Sequence, residues 1–425
     1  MDVLIFLMSL YGLIGQKKLY LAVTGQIILA TGYLGMSFSL KNLVFFNESF
    51  LIFSIIIFIL FFFKFNYKKQ FSRKNVLTKN VLFLYLFLIV SILFDLSSSV
   101  SFYDILSNVK LWFFLSAIWV YPCIPSYQFL KIIKILLYFT VFIAVLGILD
   151  FLFGTMYLSE IIVNNEGIKR AIIPSTYTLF FIIALLTNLL NIKKKIKIIF
   201  LIILISIILL SVIRSLILGV VLSFILIILI DKTYNFSKIK KIIIFIIPLC
   251  LLIFLNKDTN SRFQNLFSKE DTATNTTLLR SNVFLERFNY IVSSPKTFIL
   301  GVGNIREENA PILFSFGNSS RDDGNPDQLY SPDISWPNLL IRLGFVGTII
   351  YLIFYFKIMS ITYKRRNFNK FYKALFVYMF ISITIISFAS SIISLGSFWL
   401  LPLLLYSYSN KDPQQDMKPL LQKQS

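Results

Sequence analysis

Residues 201–230 read LIILISIILLSVIRSLILGVVLSFILIILI, and Arg214 is the only charge among them. A run this long and this apolar is read as membrane-spanning, since a bilayer core takes about 20 mostly apolar residues per helix. Arg214 divides the run, so it is read as two spans, 198–213 and 215–230, joined in a tight hairpin. Similar windows recur along the chain. Its 425 residues are 57% hydrophobic with a mean hydropathy of +0.79. Only 14% are charged, against about 25% in a soluble domain. The other candidate spans fall at roughly 3–15, 19–38, 44–63, 80–96, 108–122, 135–153, 172–191, 242–256, 336–357, 373–391 and 393–408. The first is short, so the expected fold is an all-α polytopic membrane protein with about 12–13 transmembrane helices. The apolar start at Val3 has no Lys or Arg before it and no small-residue cleavage site, so it reads as a retained helix and not a signal peptide.

Loop charge orients the spans. Lys64, Lys68, Lys69, Arg73, Lys74 and Lys79 fall in one connection. Lys193–Lys195 with Lys197, then Lys238, Lys240 and Lys241, then Lys364, Arg365 and Arg366 fall in others. Putting these inside makes every second loop basic, as the positive-inside rule demands. The same rule accounts for most of the net charge of +21, so nucleic acid is not an expected partner. Four regions follow: N-terminal helices 1–256, a large extracytoplasmic loop 257–335, C-terminal helices 336–408 and a cytoplasmic tail 409–425. Loops longer than about 15 residues are usually functional or disordered. Within this one, Phe284, Leu285, Phe288, Ile291 and Val292 keep helical spacing, so 280–292 is expected to be an amphipathic helix near the membrane. Arg280 and Arg287, seven apart, are expected to flank its apolar face.

Arginine placement is the feature that speaks to chemistry. Eight of the eleven arginines lie outside or at the outer membrane boundary: Arg170, Arg214, Arg262, Arg280, Arg287, Arg306, Arg321 and Arg342. The cytoplasmic loops use lysine almost throughout. A guanidinium stays charged and grips phosphate through a planar fork, so an outward arginine cluster at a membrane surface suits a lipid-anchored diphosphate. Arg214, embedded in an apolar run, is a site candidate by position; it can equally cap the hairpin and snorkel to the head groups. Arg170 precedes a span, and Arg342 lies on one, where it needs a partner or a polar cavity.

No histidine occurs in the chain. That excludes His-ligated metals and His general bases, and leaves acid–base work to carboxylates, Lys or Tyr. Asp333 stands just before the span opening at Trp336. It can serve as general base on a sugar hydroxyl, or as a helix cap together with Ser335. Asp95 and Asp150 near outer span ends can pair with arginine, line a cavity or simply end helices. Asp322, Asp323 and Asp327 fit no EF-hand spacing and read as a solvated loop. Gly301-Val-Gly303 can offer backbone N–H groups to phosphate or form a plain turn. Cys123 and Cys250 read as small buried hydrophobes and not as a disulfide framework.

Three segments together resemble the O-antigen polymerase and O-antigen ligase superfamily (Wzy-like). They are Ser211-Val-Ile-Arg214-Ser-Leu-Ile-Leu-Gly219, the stretch from Arg280 to Pro295-Lys-Thr-Phe-Ile-Leu-Gly301-Val-Gly303, and Asp333-Ile-Ser-Trp-Pro-Asn-Leu-Leu-Ile-Arg-Leu-Gly344-Phe-Val-Gly347. The final Gly396-Ser-Phe-Trp-Leu-Leu is similar as well, and the likeness runs over about 165–408. Ligases of the family carry His where this chain has Asp333, a departure that favours a polymerase. The resemblance implies a GT-C-like glycosyltransferase in the bacterial inner membrane, multi-pass, with its large loop periplasmic or extracellular. It implies metal-independent transfer without a cofactor from an undecaprenyl-diphosphate-linked oligosaccharide, alongside membrane lipid, a chain-length regulator and a flippase. Combined with the residue reading, it puts Arg170, Arg214, Arg280, Arg287 and Arg342 on the diphosphate and Asp333 and Arg214 in catalysis. A ligase or a lipid-glycan flippase remain the alternatives.

Overall fold

The structure, a computed structural model, describes residues 8, 10–12, 18–30, 77–97, 100–153, 162–163, 169–170, 175–211, 213–230, 272–303, 314, 334–390, 392–394 and 396–409. The expected spans 44–63 and 242–256, most of 3–15, most of the large loop and the tail from 410 lie outside the described residues, as do Asp333, Cys250, Arg262, Arg306, Arg321 and the Asp322–Asp327 cluster.

The described chain is helical apart from one two-residue antiparallel pairing. Its helices are α1 (Leu19–Ala30), α2 (Thr78–Ser97), α3 (Phe102–Val109), α4 (Ala117–Val120), α5 (Ser126–Phe153), α6 (Ser175–Leu186), α7 (Lys194–Ser211), α8 (Arg214–Ile230), α9 (Thr272–Val292), α10 (Pro295–Leu300), α11 (Ser335–Arg365), α12 (Lys370–Thr384) and α13 (Leu400–Ser409). β1 (Ile162–Val163) pairs with β2 (Lys169–Arg170). Four stretches are long and apolar enough to cross a membrane: Thr78–Ser97, Ser126–Phe153, Ser335–Arg365 and Lys370–Phe388. Leu19–Ile28, Tyr177–Leu186, Ser215–Ile230 and Leu400–Ser409 are shorter apolar helices. By length and composition these helices are those of a helical membrane protein. α2 lies at the edge of the bundle, with 28% of its most apolar window buried, and Lys370–Phe388 lies at its centre, with 72%. On α2 one face, Val81, Leu84, Leu88, Ser91 and Asp95, turns inward, while Phe83, Leu86, Val90 and Leu93 stay exposed.

Helix polarity follows from specific contacts. A Cβ on Gly219 of α8 would touch Ile381 of α12, Leu179 of α6 and Ile386 beyond α12. The Trp336 indole at the start of α11 donates to the Ser387 hydroxyl at 3.1 Å, and Ser335 Oγ donates to the Ser390 carbonyl at 2.6 Å. The starts of α8 and α11 and the end of α12 therefore share one end of the bundle, called here the arginine end. At the other end Tyr408 packs on Phe129 and Phe371, the beginnings of α5 and α12.

Two crossings expected as plain helices are discontinuous. The expected span 108–122 is built from α3, a 3-10 segment Lys110–Ser116, the single turn of α4 and a 3-10 turn Tyr121–Cys123. The expected span 393–408 begins as 3-10 turns, Ile392–Ser394 and Gly396–Trp399, before α13. The two 3-10 segments pack against each other. Irregular backbone survives at membrane depth only inside protein or beside water, and here it is inside. Trp112, Leu115 and Trp399 are fully or almost fully buried. Trp399 sits among Tyr351, Phe354 and Tyr355, with ring centroids 5.7, 4.7 and 5.4 Å away. Side-chain hydroxyls take over carbonyls in this region: Tyr351 donates to Ile393 O, Tyr355 to Met379 O at 2.7 Å, and Tyr85 to Trp112 O at 3.2 Å.

Candidate functional site

Two sequence segments, 280–303 within the large loop and 334–347 at its close, meet at the arginine end. The amphipathic helix expected at 280–292 is observed as the C-terminal part of α9, which packs on α11. Val283, Arg287 and Ile291 are its buried positions, four apart and so on one face. Ile291 joins Phe314, Leu340 and Ile341 in a small apolar cluster separate from the main core, with Phe284, Phe288, Tyr290 and Val302 around it. Burial pushes the Tyr290 phenol above its ordinary value.

Arg287 occupies the apolar face and does not merely flank it. Its side chain has no solvent exposure. Nη1 donates to Glu286 Oε2 at 3.2 Å and to the Val283 carbonyl at 3.5 Å, and the guanidinium lies 4.6 Å from the Phe314 ring centroid. It thus has a structural task beside any role on a ligand. Replacing Arg287 with methionine keeps the aliphatic stem and removes the cation–π and hydrogen-bond contacts. The expected loss is about 3.5–5 kcal/mol, the sum of about 2 kcal/mol for a desolvated cation–π contact and about 1.5–3 kcal/mol for a charged hydrogen bond. Thermal unfolding of the detergent-solubilised protein checks it, and an unchanged midpoint would refute the structural task. Arg280, two turns earlier, is half-buried, and its Nε makes no hydrogen bond among the described residues.

α9 connects to α11 through a short device. Ser294 caps α10, its Oγ accepting Thr297 N at 3.2 Å, with Pro295 next; a proline there loses no needed N–H. Thr297 Oγ1 donates back to Ile291 O at 2.9 Å. α10 then ends on Gly301, at φ 78°, and α11 breaks at Gly344, φ 63° and ψ −173°. A Cβ on Gly301 would lie 2.3 Å from Ile341 O and 2.7 Å from Gly344 N; one on Gly344 would lie 2.5 Å from both Gly301 N and Ile299 O. Backbone lies on backbone, and only glycine fits at either position. Val302 N donates to Ile341 O at 2.8 Å, and Gly301 N to Thr297 O at 2.8 Å. These two N–H groups are spent within the protein, so of the two readings of Gly301-Val302-Gly303, phosphate cradle and plain turn, it is the turn that forms, as a clasp between α10 and α11.

Arg342 follows Ile341 directly, with Nε and Nη1 buried. Gly303, at φ 92°, abuts Asp95: a Cβ there would be 2.2 Å from Oδ1 and 3.0 Å from Oδ2. Asp95 is buried at the last turn of α2. Asp104 and Asp150 are buried as well, and Ser101 Oγ accepts Asp104 N at 3.1 Å as a cap for α3. The structure thus places Arg280, Arg287 and Arg342 in one layer of α9 on the first half of α11. The Asp95 contact with Gly303 escaped the sequence reading; a carboxylate ending the apolar run Ile92-Leu93-Phe94 was its only trace there.

The other expected site residues are placed by backbone alone. Arg214 opens α8, which neighbours the Ile386–Phe388 turn that also holds Trp336. Arg170 pairs with Ile162 in the β1–β2 ladder. Asp333 lies outside the described residues; next to it, Ile334 is extended and buried and provides no side-chain cap for α11. Ser335 spends its hydroxyl on Ser390 O and so does not cap the helix. Among the described residues no three Cys, Asp or Glu side chains converge. Compared with known proteins, the chain matches no family model, no curated protein and no solved structure.

Proposed function

We propose that the chain is a polymerase of lipid-linked polysaccharide repeat units, acting at the outer face of the bacterial inner membrane. The observation that carries this reading is the joining of the arginine segments 280–303 and 334–347 into one layer at a single end of the bundle. The positive-inside rule supports an extracytoplasmic place for that end, since Lys364 and Arg365 close the opposite end of α11. In the proposed step an acceptor sugar hydroxyl attacks the anomeric carbon of a glycan held on undecaprenyl diphosphate. The bond from that carbon to the diphosphate oxygen breaks, and the diphosphate leaves with the electron pair. Asp333 takes the hydroxyl proton, and Arg170, Arg214, Arg280, Arg287 and Arg342 stabilise the charge that grows on the leaving group. Such a single displacement inverts the anomeric centre; a retained linkage between repeats would exclude it.

A second reading, a flippase for lipid-linked glycans, is favoured by the two discontinuous crossings packed side by side, since broken helices recur in transporters. One experiment separates the readings. In a strain lacking the gene, lipid-linked and surface glycans are resolved on a gel. A single capped repeat with the ladder lost is expected and supports the polymerase. Repeats trapped on the cytoplasmic face would establish the flippase, and long polymer stranded on carrier lipid would establish a ligase.

A further inference from the structure

We infer that Asp95 is a positioning residue of this arginine site: its buried carboxylate holds the Gly301–Gly303 turn against α11 and so fixes the backbone from which Arg342 projects. The inference rests on the polymerase reading for its consequence in catalysis, and on geometry alone for the contact.

The geometry has three parts. First, Asp95 lies on the inward face of α2, in register with Ser91, Leu88 and Leu84, and that face packs on α11. Phe87 of α2 lies where a Cβ on Gly347 would be, its Cε1 at 2.4 Å, so helix and helix are in close contact two turns below Asp95. Second, the carboxylate fills the space a side chain at 303 would need, with Oδ1 2.2 Å and Cγ 2.9 Å from that Cβ position. Gly303 is therefore required twice, by φ 92° and by Asp95. Third, the same turn is fastened to α11 one residue earlier, by Val302 N on Ile341 O. Ile341 and Arg342 are consecutive, so a shift of the turn is a shift of the Arg342 main chain. A carboxylate removed from water is costly unless it meets polar or charged groups. Asp95 stands at a junction, between the glycine turn it abuts and α11, on which its helix packs.

Positioning of this kind has a large lever, since a reacting group misplaced by about 1 Å can cost about 10²-fold in rate. The test is a double-mutant cycle on polymer formed per molecule of membrane-inserted protein. Asp95→Asn keeps the shape and removes the charge; it is expected to lower the rate about 10²-fold alone, and by less than about twofold in an Arg342→Ala background, because a residue acting through another adds nothing once that other is gone. Equal factors in both backgrounds would overturn the inference, as would an unchanged rate for Asp95→Asn alone. A readout independent of glycan chemistry runs in parallel. In a Cys123→Ser, Cys250→Ser background, Val302→Cys is alkylated with a membrane-impermeant maleimide on intact cells or spheroplasts. Asp95→Asn is expected to speed that labelling about tenfold, the factor for roughly 1.4 kcal/mol of lost docking; unchanged labelling overturns the contact regardless of the glycans. If instead labelling rises as expected while the deletion strain keeps its ladder, the polymerase reading fails and the Asp95 clasp stands.

Discussion

Valine in place of Gly344 is expected to separate α9 and α10 from α11 and leave the protein without its arginine layer. The residue sits at φ 63° and ψ −173°, a region that side-chain-bearing residues reach at a cost of about 1–3 kcal/mol. The new Cβ would also stand 2.5 Å from Gly301 N and from Ile299 O. Both are main-chain atoms, so relief requires α10 to move away, and overpacking of this kind costs about 1–3 kcal/mol more. Together these amount to about 2–6 kcal/mol, set against a typical total stability of about 5–15 kcal/mol. The helix below the break is held by its own contacts, Tyr351 on Ile393 and Tyr355 on Met379, so the bundle is expected to remain inserted. Limited proteolysis of the Gly344→Val protein in membranes checks this: cleavage between 272 and 303 should accelerate while α11 and α12 stay protected. Wild-type protection of 272–303 would show that the clasp carries little of the docking.

Arg342→Ala is expected to cut polymer formation to a small, still measurable residue while leaving insertion and abundance near wild type. On the proposed reading it removes a preorganised cation from the leaving diphosphate, and losing one such contact costs about 10²–10³-fold in rate. Arg342→Lys is expected to recover little, because a point charge on a flexible stem does not reproduce the planar fork. The position matters as much as the residue type. Arg342 is one residue from the Ile341 carbonyl that receives Val302 N, and two before the break at Gly344, so its backbone is among the most constrained at this end of the molecule. Arg366, at the opposite end over the Tyr363 ring, is the control: Arg366→Ala should leave the ladder intact. A full-length ladder from Arg342→Ala at normal abundance would remove this residue from the site.

How much of this was legible beforehand differs by element. The hairpin at Arg214 was readable because Arg214 is the only charge in its run, and the structure ends α7 at Ser211 and starts α8 at Arg214. α9 was readable from the spacing of Phe284, Phe288 and Ile291, although it starts earlier, at Thr272. Arg287 was misplaced at the edge of the apolar stripe, since hydropathy assigns arginine to water and cannot anticipate a buried Phe314 ring and a half-buried Glu286 carboxylate as its partners. The crossing at 108–122 was drawn as an ordinary helix. Its composition is apolar throughout its middle, and apolarity does not distinguish α from 3-10 backbone. The difference arises from neighbours, with Tyr85 taking the Trp112 carbonyl.

The amino-acid sequence by itself determined that this protein is helical and carries helices long and apolar enough to cross a membrane. Those properties are sums over local residues: transfer free energies of single side chains and the 3.6-residue period. Tertiary structure alone decided that 280–303 closes on 334–347, that Gly301 and Gly344 touch backbone to backbone, and that Asp95 meets Gly303 across some two hundred positions of chain. Close approach of two main chains depends on the absence of atoms, and a missing Cβ leaves no mark in hydropathy or charge. It acquires meaning only when the second chain is in place.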